Sequence, residues 1–392
     1  MQCRREKVHP VPAADGVRRS ALVAIACTIV GGLLGSCGSG TPALDGSSSS
    51  GSAGSASVPV QATSTTSGTL ALGSASAEAK VISLAGHDAD PGEVGEFVQE
   101  VDRLSHGSLK ISLQPDLHGA DLDFQEEYIQ DVQAGKYDML LVPARAWHLM
   151  GYNGFDPFVA PFLIESFGVE QAVLESGLGT SALNGLTPYG VNGIGLIPGV
   201  LRHPLGMINP VLTLSDIAGK TFGVYPSPIA EQAVVAMGAA PKAMPPSFPA
   251  SGLDVGEQDL AGTAELVWDV NSKAITTNLT LWPRMQTLVM NAASYGTLTP
   301  DEQQVLRQAV ANSNPAKIGA LRAAEQKAVT ALCDFPYQLA QAADSDRAAF
   351  VDAVQPVIAT IESDPASASA IAAIRDIAAK TPADDIVRTC PS

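Results

Sequence analysis

The tripeptide Gly219-Lys220-Thr221 is the first place in this 392-residue chain where residue types suggest chemistry. A phosphate-binding loop of the GxxxxGK[ST] kind needs a glycine five residues earlier. Leu214 stands there, so that loop is excluded. Other constellations that move protons or acyl groups are also missing. No G-x-S-x-G elbow and no HExxH pair occurs, and the six histidines (9, 87, 106, 118, 148, 203) show no i,i+4 metal spacing. "GIGLIPG" (193–199) lacks the full dinucleotide fingerprint and reads as a strand with close backbone packing. Carboxylates are plentiful, but none are paired off for acid–base work. The expectation is no catalytic residue, no cofactor and no metal, with an extracellular enzyme kept as a distant alternative.

Recognition chemistry remains. "AGKYDMLLVPARAW" (134–147) ends a helix at Gly135, runs as an apolar strand from Tyr137 to Val142, and stops at Pro143. Arg145 and Trp147 follow directly. Ligands of open α/β sheets sit beyond the carboxyl ends of strands, so both residues are candidates to line a cleft. Trp268 and Trp282 are candidates to stack on a ligand; the alternative for each is a place in the core.

The elements that must hold these residues alternate. "KVISLAG" (80–86) reads as a strand, and Val94, Phe97, Val98, Val101 and Leu104 as one face of a helix. Leu109, Ile111 and Leu113 alternate as a strand does. Phe124, Tyr128, Ile129 and Val132 line a second helix, and "YDMLLVP" is the next strand. Strand–helix–strand–helix–strand implies an α/β domain with a mostly parallel sheet. From Thr299, a residue of N-cap type followed by Pro300 at the first helical position, the pattern is helical.

Composition narrows the partners. The formal net charge is −17, and no Lys/Arg stripe offers itself to phosphates, so nucleic acid is excluded. Arg4, Arg5, Lys7, Arg18 and Arg19 precede the apolar run "ALVAIACTIVGGLL" (21–34), the layout of a signal segment. The run meets "LGSC", which resembles a bacterial lipobox with Cys37 as the lipidated first mature residue; an ordinary cleavage site or an uncleaved anchor is the alternative. Residues 38–77 are Ser-, Gly-, Thr- and Ala-rich, with no Lys, Arg or aromatic residue, and read as a flexible tether. With Cys3 and Cys27 in the leader and Cys37 lipidated, Cys333 and Cys390 remain. Outside the cytoplasm such a pair suggests a disulfide pinning the C-terminal tail, against two free thiols.

Six stretches, in order, resemble the solute-binding receptors of TRAP transporters, the DctP-like family. They are "FVQEVDRLSHGSLKISLQP", "VQAGKYDMLLVPARA", "DPFVAPFLIES", "SDIAGKTFGVYPS", "LDVGEQDL" and "LVMNAASYGTLTPDEQQVLRQAV". The resemblance implies a two-lobed, periplasmic-binding-protein-like α/β fold with a hinge, an inter-lobe cleft and a helical C-terminal region. It implies no enzyme activity, but capture of a small organic, carboxylate-containing ligand for membrane transporter subunits. The family's ligand Arg would fall at 223–225, where this chain has Gly223, Val224 and Tyr225, and its usual Asn stands here as Gln258. Arg202 matches another ligand-facing Arg and is the first choice for an anion, the alternative being a hinge or surface salt bridge. Tyr225, Gln258, Arg145 and Arg284 complete the matching candidates. The expected organisation is a signal peptide over 1–36 and an anchored linker over 37–79. A first lobe spans 80–200 plus about 285–320, a second spans 201–284, and C-terminal helices fill 321–392. The protein is expected on the extracytoplasmic face, attached by lipid. A sensor or scaffold lipoprotein of the same fold is the rival function.

Overall fold

A computed structural model describes residues 78–119, 121–247, 252–266, 272–335 and 337–390. The leader, Cys37 and nearly all of the expected linker lie outside the described residues, as does Trp268. The described residues fall within one compact unit.

They carry twelve strands: β1 (Lys80–Ala85), β2 (Leu109–Leu113), β3 (Met139–Pro143), β4 (Val191–Ile197), β5 (Leu201–Gly206), β6 (Thr221–Val224), β7 (Ala240–Ala243), β8 (Val255–Gln258), β9 (Ala274–Thr276), β10 (Trp282–Pro283), β11 (Gln286–Asn291) and β12 (Gln338–Ala340). The first lobe is built on the sheet β2-β1-β3-β11-β4 and the second on β12-β9-β5-β8-β6-β7, with β10 paired to β5. β1 runs parallel to β2 and β3, whereas β11 lies antiparallel between β3 and β4. In the second sheet β6 is parallel to β7 and β8, and β5 is antiparallel to β8 and β9.

β3 reads "MLLVP" and is buried at every position, because helices cover both faces of its sheet. Side chains alternate across a strand. Leu140 and Val142 therefore join Tyr128, Ile129 and Val132 on one face, while Leu141 joins Phe97, Val101 and Leu306 on the other. Each such side chain, fully buried, contributes roughly 1.5–3 kcal/mol. The helix Pro91–Leu104 starts where the Asp90 carboxylate accepts the Gly92 and Glu93 N–H groups. Thr299 and Glu302 cap each other reciprocally at the start of the helix Pro300–Cys333.

Two features differ from the sequence reading. The expected boundary at 320/321 is not an element end, because one helix runs from Pro300 to Cys333 with Pro315 inside it. Burial of Lys317, Ile318 and Leu321 just past the proline holds the helix together there. The stretch after 321 is also not helical throughout, since β12 adds to the second sheet, parallel to β9.

The chain crosses between the sheets at 198–200 and again at Arg284–Met285. The Arg284 N–H donates to the Val200 carbonyl at 2.7 Å. Gly199 lets these crossings touch: a Cβ there would stand 1.8 Å from the Arg284 carbonyl oxygen.

Candidate functional site

Three guanidinium groups converge where the crossings meet the strand ends. Arg145 sits two residues past β3, Arg202 is the second residue of β5, and Arg284 lies on the return crossing. The Tyr225 ring, just after β6, is flanked by two of them: the guanidinium carbons of Arg145 and Arg202 lie 5.3 and 5.0 Å from its centroid.

Their partners differ. Arg202 is buried in an ion pair with Asp259 at 3.0 Å and donates to the Gln258 side chain. Arg284 pairs with Asp88 at 2.7 Å. Glu257 has both oxygens occupied, one by the Tyr225 N–H at 2.7 Å and the other by the Trp282 indole N–H at 2.5 Å. Among the described residues no hydrogen bond or ion pair reaches the side chain of Arg145, although it is only 6% exposed. Burial pushes Arg145 down to about 10; Glu257 counteracts this, and Arg202 and Arg284 reinforce it. Burial also opposes the charge of Arg284, but Asp88, Glu93 and Asp259 outweigh it and raise its pKa. Burial raises the Tyr225 phenol, with Arg202 pulling the other way.

A narrow pocket of about 10 Å³, room for about one water molecule, lies between the lobes at this point. Arg145, Ser227 and Arg284 supply its polar groups. Pro143, Val159, Ala230, Trp282, Pro283 and Met285 make the rest of its wall apolar. Ser227 caps the nine-residue helix Pro228–Ala236, accepting the Ala230 N–H at 3.3 Å, so the positive end of that helix faces the pocket.

Of the sequence candidates, Arg145, Arg202, Tyr225, Gln258, Trp282 and Arg284 are brought together. Trp147 is not. It lies on the short helix Ala146–Leu149, fully buried in the first-lobe core, and its indole N–H donates to Thr287 at 2.8 Å. Trp268 lies outside the described residues. Asp88 and Asp259, the counter-charges of two of the arginines, were not anticipated. Asp88 stands three residues past β1, so the strand-end rule that singled out Arg145 would have found it. The tail is pinned as well: Cys333 and Cys390 form a disulfide with Cα atoms 5.5 Å apart. Among the described residues, no helix is long and apolar enough to cross a membrane and no cluster of His, Cys, Asp and Glu could hold a metal.

A family profile described as bacterial extracellular solute-binding protein, family 7 (DctP), matches residues 85–364. Solved structures with the same architecture include three receptors. The sugar-acid-binding protein DctPAm from Advenella mimigardefordensis, in complex with galactonate, is 19% identical, with a TM-score of 0.65 over 77% of this chain and 99% of that one. A TRAP periplasmic solute-binding protein from a Bradyrhizobium species, in complex with galacturonate, is 20% identical, with a TM-score of 0.66 over 76% and 100%. One from Shewanella oneidensis with bound succinate is 18% identical, with a TM-score of 0.65 over 76% and 99%. At these identities the likeness establishes the fold: two lobes with a cleft between them.

Proposed function

The chain belongs to the bacterial extracellular solute-binding proteins, family 7, and from that premise we propose that its cleft captures a small monocarboxylate outside the membrane and delivers it to a membrane transporter. The observation that carries this reading is Arg145, a buried cation with no hydrogen-bond partner among the described residues, facing a pocket. An arginine fork matches a carboxylate with two parallel bonds. Each charge-assisted bond contributes roughly 1.5–3 kcal/mol net. Arg202 and Arg284 already hold Asp259 and Asp88, so they shape the site while Arg145 anchors the ligand. The helix end at Ser227 favours the same negative charge.

The wall limits the body of that ligand. A sugar acid of the kind held by the receptors above would turn several hydroxyls toward Pro143, Val159, Pro283 and Met285. Each hydroxyl left unpaired costs about 1–3 kcal/mol. A compact aliphatic or aromatic acid carries no such hydroxyls, and the apolar wall, Trp282 included, suits it once the lobes part to admit it.

A thermal-shift screen of matched acids checks both parts. Compact monocarboxylates are expected to raise the melting point, with about 2.7 kcal/mol of stabilisation at a hundredfold excess over Kd. A response to hexuronates alone would keep the acid receptor and remove the apolar-bodied ligand. No response to any acid would remove the receptor and favour a sensor or scaffold lipoprotein of the same fold.

The same reading places the protein on the extracytoplasmic face, tethered through Cys37 in "LGSC". Mass spectrometry of the membrane-extracted protein is expected to find a lipid mass on Cys37, and Cys37→Ser to shift the protein to the soluble fraction. A membrane-bound Cys37→Ser protein would exclude this mode of attachment.

A further inference from the structure

We infer that residues 381–390 form a covalently closed strap across the hinge that restrains the bending by which the cleft opens; this rests on the solute-cleft reading only for its consequence on ligand release.

The strap begins on the first lobe. The helix Pro365–Lys380 contributes Ile371 and Ile374 to a first-lobe core that also contains Val169 and Val173. Asp384 then accepts the Phe167 and Gly168 N–H groups at 2.9 and 3.1 Å, capping the helix Phe167–Glu175, and pairs with Arg322 at 2.9 Å. Ile386 packs on the cluster of Phe167, Leu201, Ile318 and Leu321, which includes Val200 of the crossing. Arg388 reaches the second-lobe side. Its side chain pairs with Glu325, and its carbonyl accepts the Thr277 hydroxyl at 2.9 Å, just past β9. Two residues on, the disulfide fixes Cys390 to Cys333, which packs against the second-lobe cluster containing Leu205 and Ile275.

The crossing is therefore gripped on two sides. Ile386 and Val200 pack on the same cluster, which contains Leu201, while Glu170, on the helix that Asp384 caps, accepts the Gly199 N–H at 2.9 Å. A rotation of one lobe against the other that moves Val200 and Leu201 therefore disturbs the cluster on which Ile386 is seated. The tail cannot simply peel away, because its end is covalently held. Between Asp384 and Cys390 the chain spans at most about 20–22 Å when fully extended, which bounds how far the two anchors can separate.

The test compares the disulfide-bonded full chain with the Cys333→Ser/Cys390→Ser double variant, without ligand. Hydrogen exchange is read at the amides of Gly199–Leu201 and, as an internal reference, in the helix Pro91–Leu104. The radius of gyration is read by small-angle scattering. The inference expects at least tenfold faster exchange at the crossing, little change in the reference helix, and a larger mean radius. Equal acceleration everywhere would mean that the disulfide only stabilises the fold, and unchanged exchange at the crossing would also overturn the strap. If the double variant does not fold, reducing the folded native protein with dithiothreitol, which gives two thiols, supplies the same comparison. These readouts need no ligand, so the strap and the solute reading fail separately. Once an acid ligand is in hand, the variant is expected to release it at least threefold faster.

Discussion

Arg145→Met is expected to move two measurements in opposite directions. Ligand affinity should fall by about a hundredfold or more, because two charge-assisted bonds of roughly 1.5–3 kcal/mol each are lost. The ligand-free protein should become more stable, because a buried guanidinium with no hydrogen-bond partner among the described residues is replaced by an apolar side chain of similar length. Replacing buried charges by well-packed apolar groups is commonly neutral or stabilising by about 1–4 kcal/mol. The proximity of Glu257 trims the gain, although both of its oxygens keep their donors. Calorimetric titration and thermal unfolding of the same sample check the pair. Retained affinity would move the anchor to Arg202 or Arg284. Lost affinity together with lost stability would make Arg145 structural.

The second large effect is in the pH dependence of stability. Glu170 is fully buried on the helix Phe167–Glu175, with one oxygen on the Gly199 N–H and the other without a partner among the described residues. Burial pushes its carboxyl up to about 8; the Gly199 N–H opposes the rise and Asp384 adds to it. Below the unfolded value of 4.5 both states carry the proton, and Glu170 costs nothing. As pH rises the unfolded chain ionises first, and stability falls by about 1.4 kcal/mol per pH unit until the folded carboxyl ionises as well. Glu170→Gln keeps an acceptor for Gly199 and removes the titration. It should gain several kcal/mol over native at pH 8 and almost nothing at pH 4.

His203 acts from the other side. It too is fully buried, with Nδ1–H donating to the Leu279 carbonyl at 3.1 Å and Nε2 unpartnered. Burial, then Arg388, pushes it down to about 3 from 6.5, so its contribution is lost as pH falls below 6.5. Between about pH 4.5 and 6.5 the two slopes oppose each other, so native stability should level off there and fall toward pH 8, whereas Glu170→Gln should keep rising to about pH 6.5 and level off above it. Chemical denaturation across pH 4–9 measures this. A native profile that rises to about pH 6.5 and stays level to pH 8, unchanged in the variant, would mean that Glu170 ionises normally in the folded protein.

What the sequence made legible follows the range of the forces involved. Periodicity is local, so the strands and helices of 80–143 could be read directly from Val94, Phe97, Val101 and the apolar run at 139–143. The strand-end rule placed Arg145 at the site because β3 must stop at Pro143. It misplaced Trp147 because two further residues form a turn of helix, which rotates the indole toward Thr287. Arg202 was found by resemblance, but its counter-charge Asp259 was not, since β5 and β8 meet only through sheet register. Gly223 was noted for lacking an arginine. The structure gives a local reason for its size: a Cβ there would stand 2.5 Å from the Met244 sulfur and 2.6 Å from Leu253. Glu170 was invisible for a different reason. Its partner Gly199 and the nearby charge of Asp384 both come from distant parts of the chain.

The antiparallel placement of β11 between β3 and β4 also sets an order of assembly. Leu140 of β3 pairs with Val289, and neither β3 nor β4 has its inner neighbour until residues 286–291 have been made. A growing or threading chain that presents its N-terminal end first therefore carries two apolar strands with open edges through the synthesis of most of the second lobe. Pairing over such long sequence separation is slow, because loop closure must precede any gain in contacts. The first lobe therefore cannot complete its sheet until the chain has been made through residue 291.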